Sequence, residues 1–296
     1  MSDFDSPPTD ELAFFKKPKK HGREWPKVEP PELPLRFGVA DTHAHINMLN
    51  NPAHALALAK QSNVTFIQAM TDPLSEEGVD FYSMSDTFEN APIMRLACGV
   101  HPHYSKDYSP SVEAILCKKL RDTKTSALGE VGLDYHYDFS PRAAQIEVFE
   151  RQIELSQEFE LPIILHIREA FDDAYSAMDN AGWNENGVLL HCYTSDAKEL
   201  ERWVDAGCFV AFGGAFTFKK STDIRESAHL VPLNRLLTET DSPFMAPEPF
   251  RNTECTPAHT LFVAQALFEE LREQHKVDAD EFFAQLQNNA VGLLNS

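Results

Sequence analysis

Val39-Ala40-Asp41-Thr42-His43-Ala44-His45 reads as the end of a buried strand that delivers two histidines, two residues apart. Side chains at i and i+2 of a strand point to the same side. Two imidazoles on one side of a strand's C-terminal end make half of a metal site. A His-x-His pair alone is a weak signal. Its weight comes from the rest of the chain, which keeps placing a His, Glu or Asp where later strands end.

From Phe37 onward, short apolar runs alternate with longer amphipathic ones, the pattern of strands and helices in turn. Strands are expected at Gly38–His43, Val64–Met70, Met94–Val100, Ser126–Val131, Pro162–His166, Val188–His191, Cys208–Phe212 and Leu236–Thr240. Helices are expected around Ala53–Gln61, Glu77–Phe88, Ser111–Leu120, Pro141–Phe159, Ala170–Ala181, Asp196–Ala206 and Asp223–His229. Two more close the chain, Pro257–Gln274 and Ala279–Leu294. Such alternation calls for parallel pairing with right-handed crossovers. An open doubly wound sheet is the competitor. Polar residues at the ends of many strands, not at one switch point, favour a closed (β/α)8 TIM barrel of the α/β class.

Length agrees. Residues 1–37 differ in character, and the remaining 259 match the roughly 250 of one such barrel. The first 37 are rich in Pro and charge and are expected as a disordered or extended arm, with 38–296 as the barrel. Lys16, Lys17, Lys19, Lys20, Arg23 and Lys27 make a basic cluster in that arm. Seven basic residues there balance seven acidic ones, so the barrel carries the whole net charge of −20. An acidic body repels nucleic acid and anionic membranes over its broad surface. It leaves room for an enzyme that grips one phosphate in a pocket. No apolar run reaches the about 18 residues of a membrane span. Cys98, Cys117, Cys192, Cys208 and Cys255 are odd in number and lack Cys-x-x-Cys spacing. Neither a disulfide framework nor a zinc ribbon follows, and a cytoplasmic location is expected.

Taken together, the strand ends carry His43, His45, Glu130, His166, His191 and Asp241. In a barrel these ends ring one mouth, so residues two hundred apart in sequence share a site. Four imidazoles and two carboxylates are the donor set of a pair of divalent ions. One His after an apolar strand is ordinarily a core or loop residue; six such groups in equivalent places are not.

The ordered set resembles the TatD family of metal-dependent deoxyribonucleases, within the amidohydrolase-type barrels. The resemblance rests on Asp41-Thr42-His43-Ala44-His45, Gly99-Val100-His101-Pro102-His103, Gly129-Glu130-Val131-Gly132-Leu133-Asp134, Leu165-His166-Ile167-Arg168, Leu190-His191-Cys192-Tyr193 and Glu239-Thr240-Asp241-Ser242-Pro243. Pro247-Glu248-Pro249-Phe250-Arg251 and Asn288-Asn289 extend it over roughly residues 38–296. It implies phosphodiester hydrolysis of DNA, often as a 3′–5′ exonuclease, by a metal-activated water at two divalent ions (Zn, Mn or Mg). Carried over, His43, His45 and Asp241 hold one ion, His166 and His191 the other, and Glu130 bridges them. The ions would acidify a bound water and clamp the phosphate. Asp241 would take the proton of that water. His101 and Arg168 would contact the phosphate of the substrate, with Asp134 supporting from behind and Arg251 and Lys219-Lys220 as weaker candidates. DNA, single-stranded or at 3′ ends, is the expected partner of a monomer that binds no membrane. Ile46-Asn47 and Asn252 depart from the family's usual residues beside the site. His54, His229 and His275 receive no role.

Two alternatives stand beside this reading. One is a barrel hydrolase of a small ester, lactone or phosphotriester. Related phosphotriesterase-like barrels usually bridge their metals with a modified lysine on strand four, where this chain has Glu130. The other is a barrel that binds but no longer catalyses, which would lack a ligand; all six are present.

Overall fold

Eight parallel strands follow one another round the sheet in chain order. The computed structural model describes residues 7–9, 11–19, 24–34, 36–75 and 81–295. The strands are β3 (Val39–Ala44), β4 (Val64–Thr71), β5 (Ile93–Cys98), β6 (Thr125–Asp134), β7 (Ile163–Arg168), β8 (Val188–Leu190), β9 (Phe209–Phe212) and β10 (Leu236–Thr238). Ahead of them, β1 (Phe14–Phe15) and β2 (Lys27–Val28) form an antiparallel pair. The helices are α1 (Pro52–Gln61), α2 (Pro110–Leu120), α3 (Arg142–Glu158), α4 (Phe171–Ala181), α5 (Ala197–Asp205), α6 (Thr222–Ala228), α7 (Thr260–His275) and α8 (Ala279–Leu294). The helix expected around Glu77–Phe88 lies partly outside the described residues, although 81–84 are helical. Lys20 and Arg23 of the basic cluster lie outside them too. The fold is a (β/α)8 TIM barrel.

Closure between β10 and β3 depends on side chains. Thr42 Oγ1 donates to the Thr238 carbonyl at 3.0 Å, and Thr238 Oγ1 donates to the Ala40 carbonyl at 2.9 Å. Thr240, expected to continue the last strand, leaves the ladder because the Asp41 carboxylate takes its N–H at 2.9 Å and its hydroxyl at 2.6 Å. A bridge between Ala44 and Ser242 then completes the ring. Buried backbone groups need partners, and here a buried aspartate and two threonines supply them.

Each strand sends one side chain into the barrel: Ala40, Phe66, Ala97, Ala127, Ile164, Leu189, Ala211 and Leu237 pack together, with Met70 also inside. Ala290, Leu293 and Leu294 of α8 join this cluster and plug its N-terminal end. Strand alternation then dictates what lies above it. Two residues beyond Ile164, Leu189 and Leu237 stand His166, His191 and Glu239. The apolar floor thus aims the polar residues into the opposite mouth. β6 and β7 come very close there, because Gly132 has φ 142 and a Cβ on it would collide with the His166 carbonyl.

The described part of the arm is extended and seated. Phe14 is only 4% exposed, and Leu33 is buried with the main core. The Phe14 ring meets Phe250, His259 and Phe262 at 6.0, 5.5 and 5.2 Å. Gln61 and His54 of α1 bond the Leu12 and Glu11 carbonyls at 3.2 Å each. Truncating a buried Phe costs about 3–5 kcal/mol. A peripheral hairpin can relax, so the low end is expected for Phe14→Ala: a melting temperature lower by about 6–12 °C, at about 2–4 °C per kcal/mol. Deleting residues 1–36 should lower it at least as much while the barrel still folds. A melting curve unmoved by either change would show the arm unseated.

Candidate metal centre

Six side chains that the sequence singles out converge at the C-terminal mouth. His43 and His45 come from the end of β3, with their Nε2 atoms 3.4 Å apart. Asp241 Oδ1 lies 3.4 Å from His45 Nε2 and 3.9 Å from His43 Nε2. Four ligands about 2.1 Å from a tetrahedral ion stand about 3.4 Å from each other. The His43–His45–Asp241 triad therefore has the spacing of one divalent ion. Glu130 sits in the middle of the cluster. Its Oε2 faces His43 and His45 at 3.3 and 3.6 Å. Its Oε1 faces His166 Nδ1, His191 Nε2 and His101 Nε2 at 2.6, 2.7 and 3.7 Å. One carboxylate thus presents an oxygen to each half of the cluster.

The electrostatics fit cation ligation. Burial opposes ionisation of Glu130, but His191, His43, His101 and His166 together hold its pKa well below the usual carboxylate range. Asp241 is also held low, against burial, chiefly by His45 and His191. Burial lowers His43 to about 3 and His101 to about 4, leaving neutral imidazoles with free lone pairs. Burial opposes charge on His45, His166 and His191 as well, but adjacent carboxylates outweigh it and raise all three. The ionised carboxylates and the neutral His43 and His101 are already in the state that a divalent ion requires, whereas His45, His166 and His191 would give up a proton on binding one.

Asp134 and His103 back this set through hydrogen bonds, and Glu239 lies beside it with both carboxylate oxygens buried and without a hydrogen-bond partner. Asp134 Oδ2 meets His103 Nε2 at 2.9 Å and His166 Nε2 at 3.2 Å, while Oδ1 accepts the His136 and Tyr137 N–H groups. Carboxylates commonly fix a ligating imidazole from behind in this way. Glu239 is fully buried, with His191 Nδ1 at 3.6 Å. It forms a third candidate ligand group with His43 and His191. His103 repeats the i, i+2 spacing of His43 and His45. Glu239 follows Leu237 by two, so strand parity alone aims it inward. Asp72 accepts the His101 N–H at 2.9 Å and holds that loop in place.

His101 stands inside the cluster, where it forms another candidate ligand group with Glu130 and His166. Other expected residues lie farther out. Arg168 is exposed at the rim, its guanidinium 4.8 Å from the Tyr137 ring centroid. Arg251 lies over Phe218 at 3.6 Å, and Lys219 and Lys220 are exposed on the loop after β9. Backbone conformation helps set the mouth: Asp241 at φ 54 and Cys192 at φ 45 occupy the left-handed region. Such residues cost on the order of 1 kcal/mol or more. Asp241 is held there by its N–H bond to the His43 carbonyl at 2.9 Å.

Asp134→Asn tests the orienting role. Asn keeps an oxygen for the two backbone N–H groups but turns an amide towards His103 and His166. Metal affinity should fall about 10–100-fold, the usual effect of losing such a partner. Titration calorimetry showing unchanged affinity would remove Asp134 from the centre.

A barrel with histidines and carboxylates gathered at its C-terminal mouth is the arrangement of the metal-dependent hydrolases. The chain belongs to the TatD related DNase family, whose model matches residues 40–295. It is 31% identical over 229 residues to the metal-dependent hydrolase YabD of Bacillus subtilis, covering 77% of this chain and 89% of that one. It is 31% identical over 177 residues to the 3′-5′ ssDNA/RNA exonuclease TatD of Erwinia billingiae, covering 57% of this chain and 68% of the relative. The crystal structure of the TatD homologue YJJV from Escherichia coli superposes with a TM-score of 0.79 at 25% identity, over 87% of this chain and 98% of that one. No described helix is long and apolar enough to cross a membrane.

Proposed function

We propose that this protein is a divalent-metal-dependent deoxyribonuclease that hydrolyses DNA phosphodiester bonds, working as a 3′–5′ exonuclease on single strands or 3′ ends. The observation that carries the reading is Glu130, which offers one oxygen to each of two groups of imidazoles. His43, His45 and Asp241 would hold one ion and His166 and His191 the other, with Glu130 shared. Two such ions would neutralise the phosphate and make a water more acidic. Asp241, ionised and at the mouth, accepts the proton of the attacking water. His101 and Arg168 meet the phosphate oxygens. The name of the Erwinia relative supports both the 3′–5′ direction and a single-stranded substrate, and adds RNA as a candidate. All six ligands come from one chain, so a monomer suffices. Five unpaired cysteines suit a cytoplasmic protein. The barrel, 38–296, is the hydrolase domain and 1–37 an appended arm.

The test is hydrolysis of end-labelled single-stranded DNA and RNA with Mg2+, Mn2+ or Zn2+, beside a panel of aryl esters and phosphotriesters. Shortening from the 3′ end, abolished by a chelator and restored by metal, is the expected result. Turnover of esters or triesters without any cleavage of nucleic acid would move the protein to the small-substrate hydrolases.

A further inference from the structure

Nine large apolar side chains are exposed among the described residues, and five of them stand on loops leaving the C-terminal ends of the strands. These are Met48, Tyr104, Tyr137, Phe139 and Phe244. Exposed apolar groups scattered singly need no explanation, but a cluster at a catalytic mouth does. Tyr137 and Phe139, 48% and 57% exposed, lie 5.4 Å apart with ring planes within 20°. The Arg168 guanidinium lies over Tyr137, and Lys106 Nζ donates to the Phe139 carbonyl at 3.2 Å. Phe244, 47% exposed, stands elsewhere on the rim.

These two aromatic sites lie at opposite ends of one row of rings. Phe244 meets His45 at 6.0 Å, His45 meets His43 at 5.1 Å, and His43 stacks on His191 at 3.8 Å. The row continues from His191 to His166 at 5.5 Å, to His103 at 6.3 Å, and ends on Phe139 at 4.8 Å. The candidate metal centre is the middle of that row.

We infer that Tyr137–Phe139 and Phe244 are stacking platforms for unpaired bases, one on each side of the phosphate to be cut. The inference rests on the nuclease reading and adds how the strand is held. A chain of net charge −20 gains little from long-range attraction to a polyanion. Stacking supplies affinity that charge does not, and it accepts any base because every base has a π-face. A base laid on Phe139 extends a stack that already contains Tyr137 and a cation. Paired bases are stacked on their neighbours and cannot use the platforms, so the arrangement selects single strands.

The experiment uses the full-length protein with its metal and a phosphorothioate-linked single strand carrying 2-aminopurine, whose fluorescence falls on stacking. Binding should quench the probe. A strand of equal length with abasic sites at the terminal positions should bind about 5–150-fold more weakly, the span of one stacked base. The Tyr137→Ala/Phe139→Ala protein should bind the base-bearing strand more weakly by a similar factor and lose the discrimination. Leu230→Ala, exposed at the opposite end of the barrel, should change nothing. Equal binding of base-bearing and abasic strands by the unaltered protein, with hydrolysis intact, would overturn the platforms and leave the nuclease reading standing. Quenching and base discrimination without cleavage of DNA or RNA by any metal form would do the reverse.

Discussion

Asp241→Asn should lower turnover of single-stranded DNA by at least about 10²–10⁴-fold, the usual worth of a positioned general base. Asp241 follows β10 at the mouth, with its carboxylate 3.4 Å from His45 and 3.9 Å from His43. His45 and His191 keep it ionised against burial, so at neutral pH it is a carboxylate with open lone pairs. Asn has the same shape and retains one carbonyl oxygen, but it carries neither the charge nor the basicity. The backbone bond to His43 uses the Asp241 N–H and survives the change. Fold and mouth geometry are therefore expected to persist while the chemistry fails. The ion assigned to His166, His191 and Glu130 should remain, and the one assigned to His43 and His45 should weaken. Metal content by elemental analysis, measured beside kcat, separates these effects. Near-normal turnover with a full metal complement would show that Asp241 is neither base nor ligand, and the proposed chemistry would need another proton acceptor.

The pattern of strands was readable because burial in a parallel barrel leaves continuous apolar runs. The polar groups at their ends then stood out. Val188–Leu190 shows how far this goes: three apolar residues announce a strand, and His191 follows directly. Detail is hidden where a side chain replaces a backbone partner. Thr240 looks like strand, yet Asp41 captures its N–H and ends the ladder two residues earlier. Asp41 itself gave no sign of this role, since only the closed ring brings it to Thr240. β6 runs longer than expected, through Asp134, because Gly132 looks like a strand breaker and is instead a point where β7 leaves no room for a Cβ. Parity counted inward from Leu237 would have found Glu239. His103 and Asp134 are harder, because their roles depend on His166 arriving from a different strand. Phe14 is harder still: in a Pro-rich, charged segment, nothing local reports that Phe250 and Phe262 wait for it.

Glu130→Gln should remove more than any other single change, because Glu130 alone faces every imidazole of the cluster. Gln preserves length and volume. Its amide nitrogen is a donor, however, and must face either the His43–His45 side or the His166–His191 side, where the carboxylate now sits 2.6–3.6 Å from four ring nitrogens. On that side an amide cannot ligate a cation, and on the other a neutral oxygen replaces an anionic one. Both ions should weaken together, unlike the one-sided loss expected for Asp241→Asn. Metal-ion stabilisation of developing charge amounts to several kcal/mol, so turnover should fall by about 10³-fold or more. A second readout does not involve turnover. A ligand that binds the folded state stabilises it by RT ln(1 + [L]/Kd). Added metal should therefore raise the melting temperature of the unaltered protein and barely move that of Glu130→Gln. A variant that takes up two ions with unaltered affinity and shows the full thermal shift would place the bridge elsewhere. Glu239, the other fully buried carboxylate beside His191, would then be the group to test.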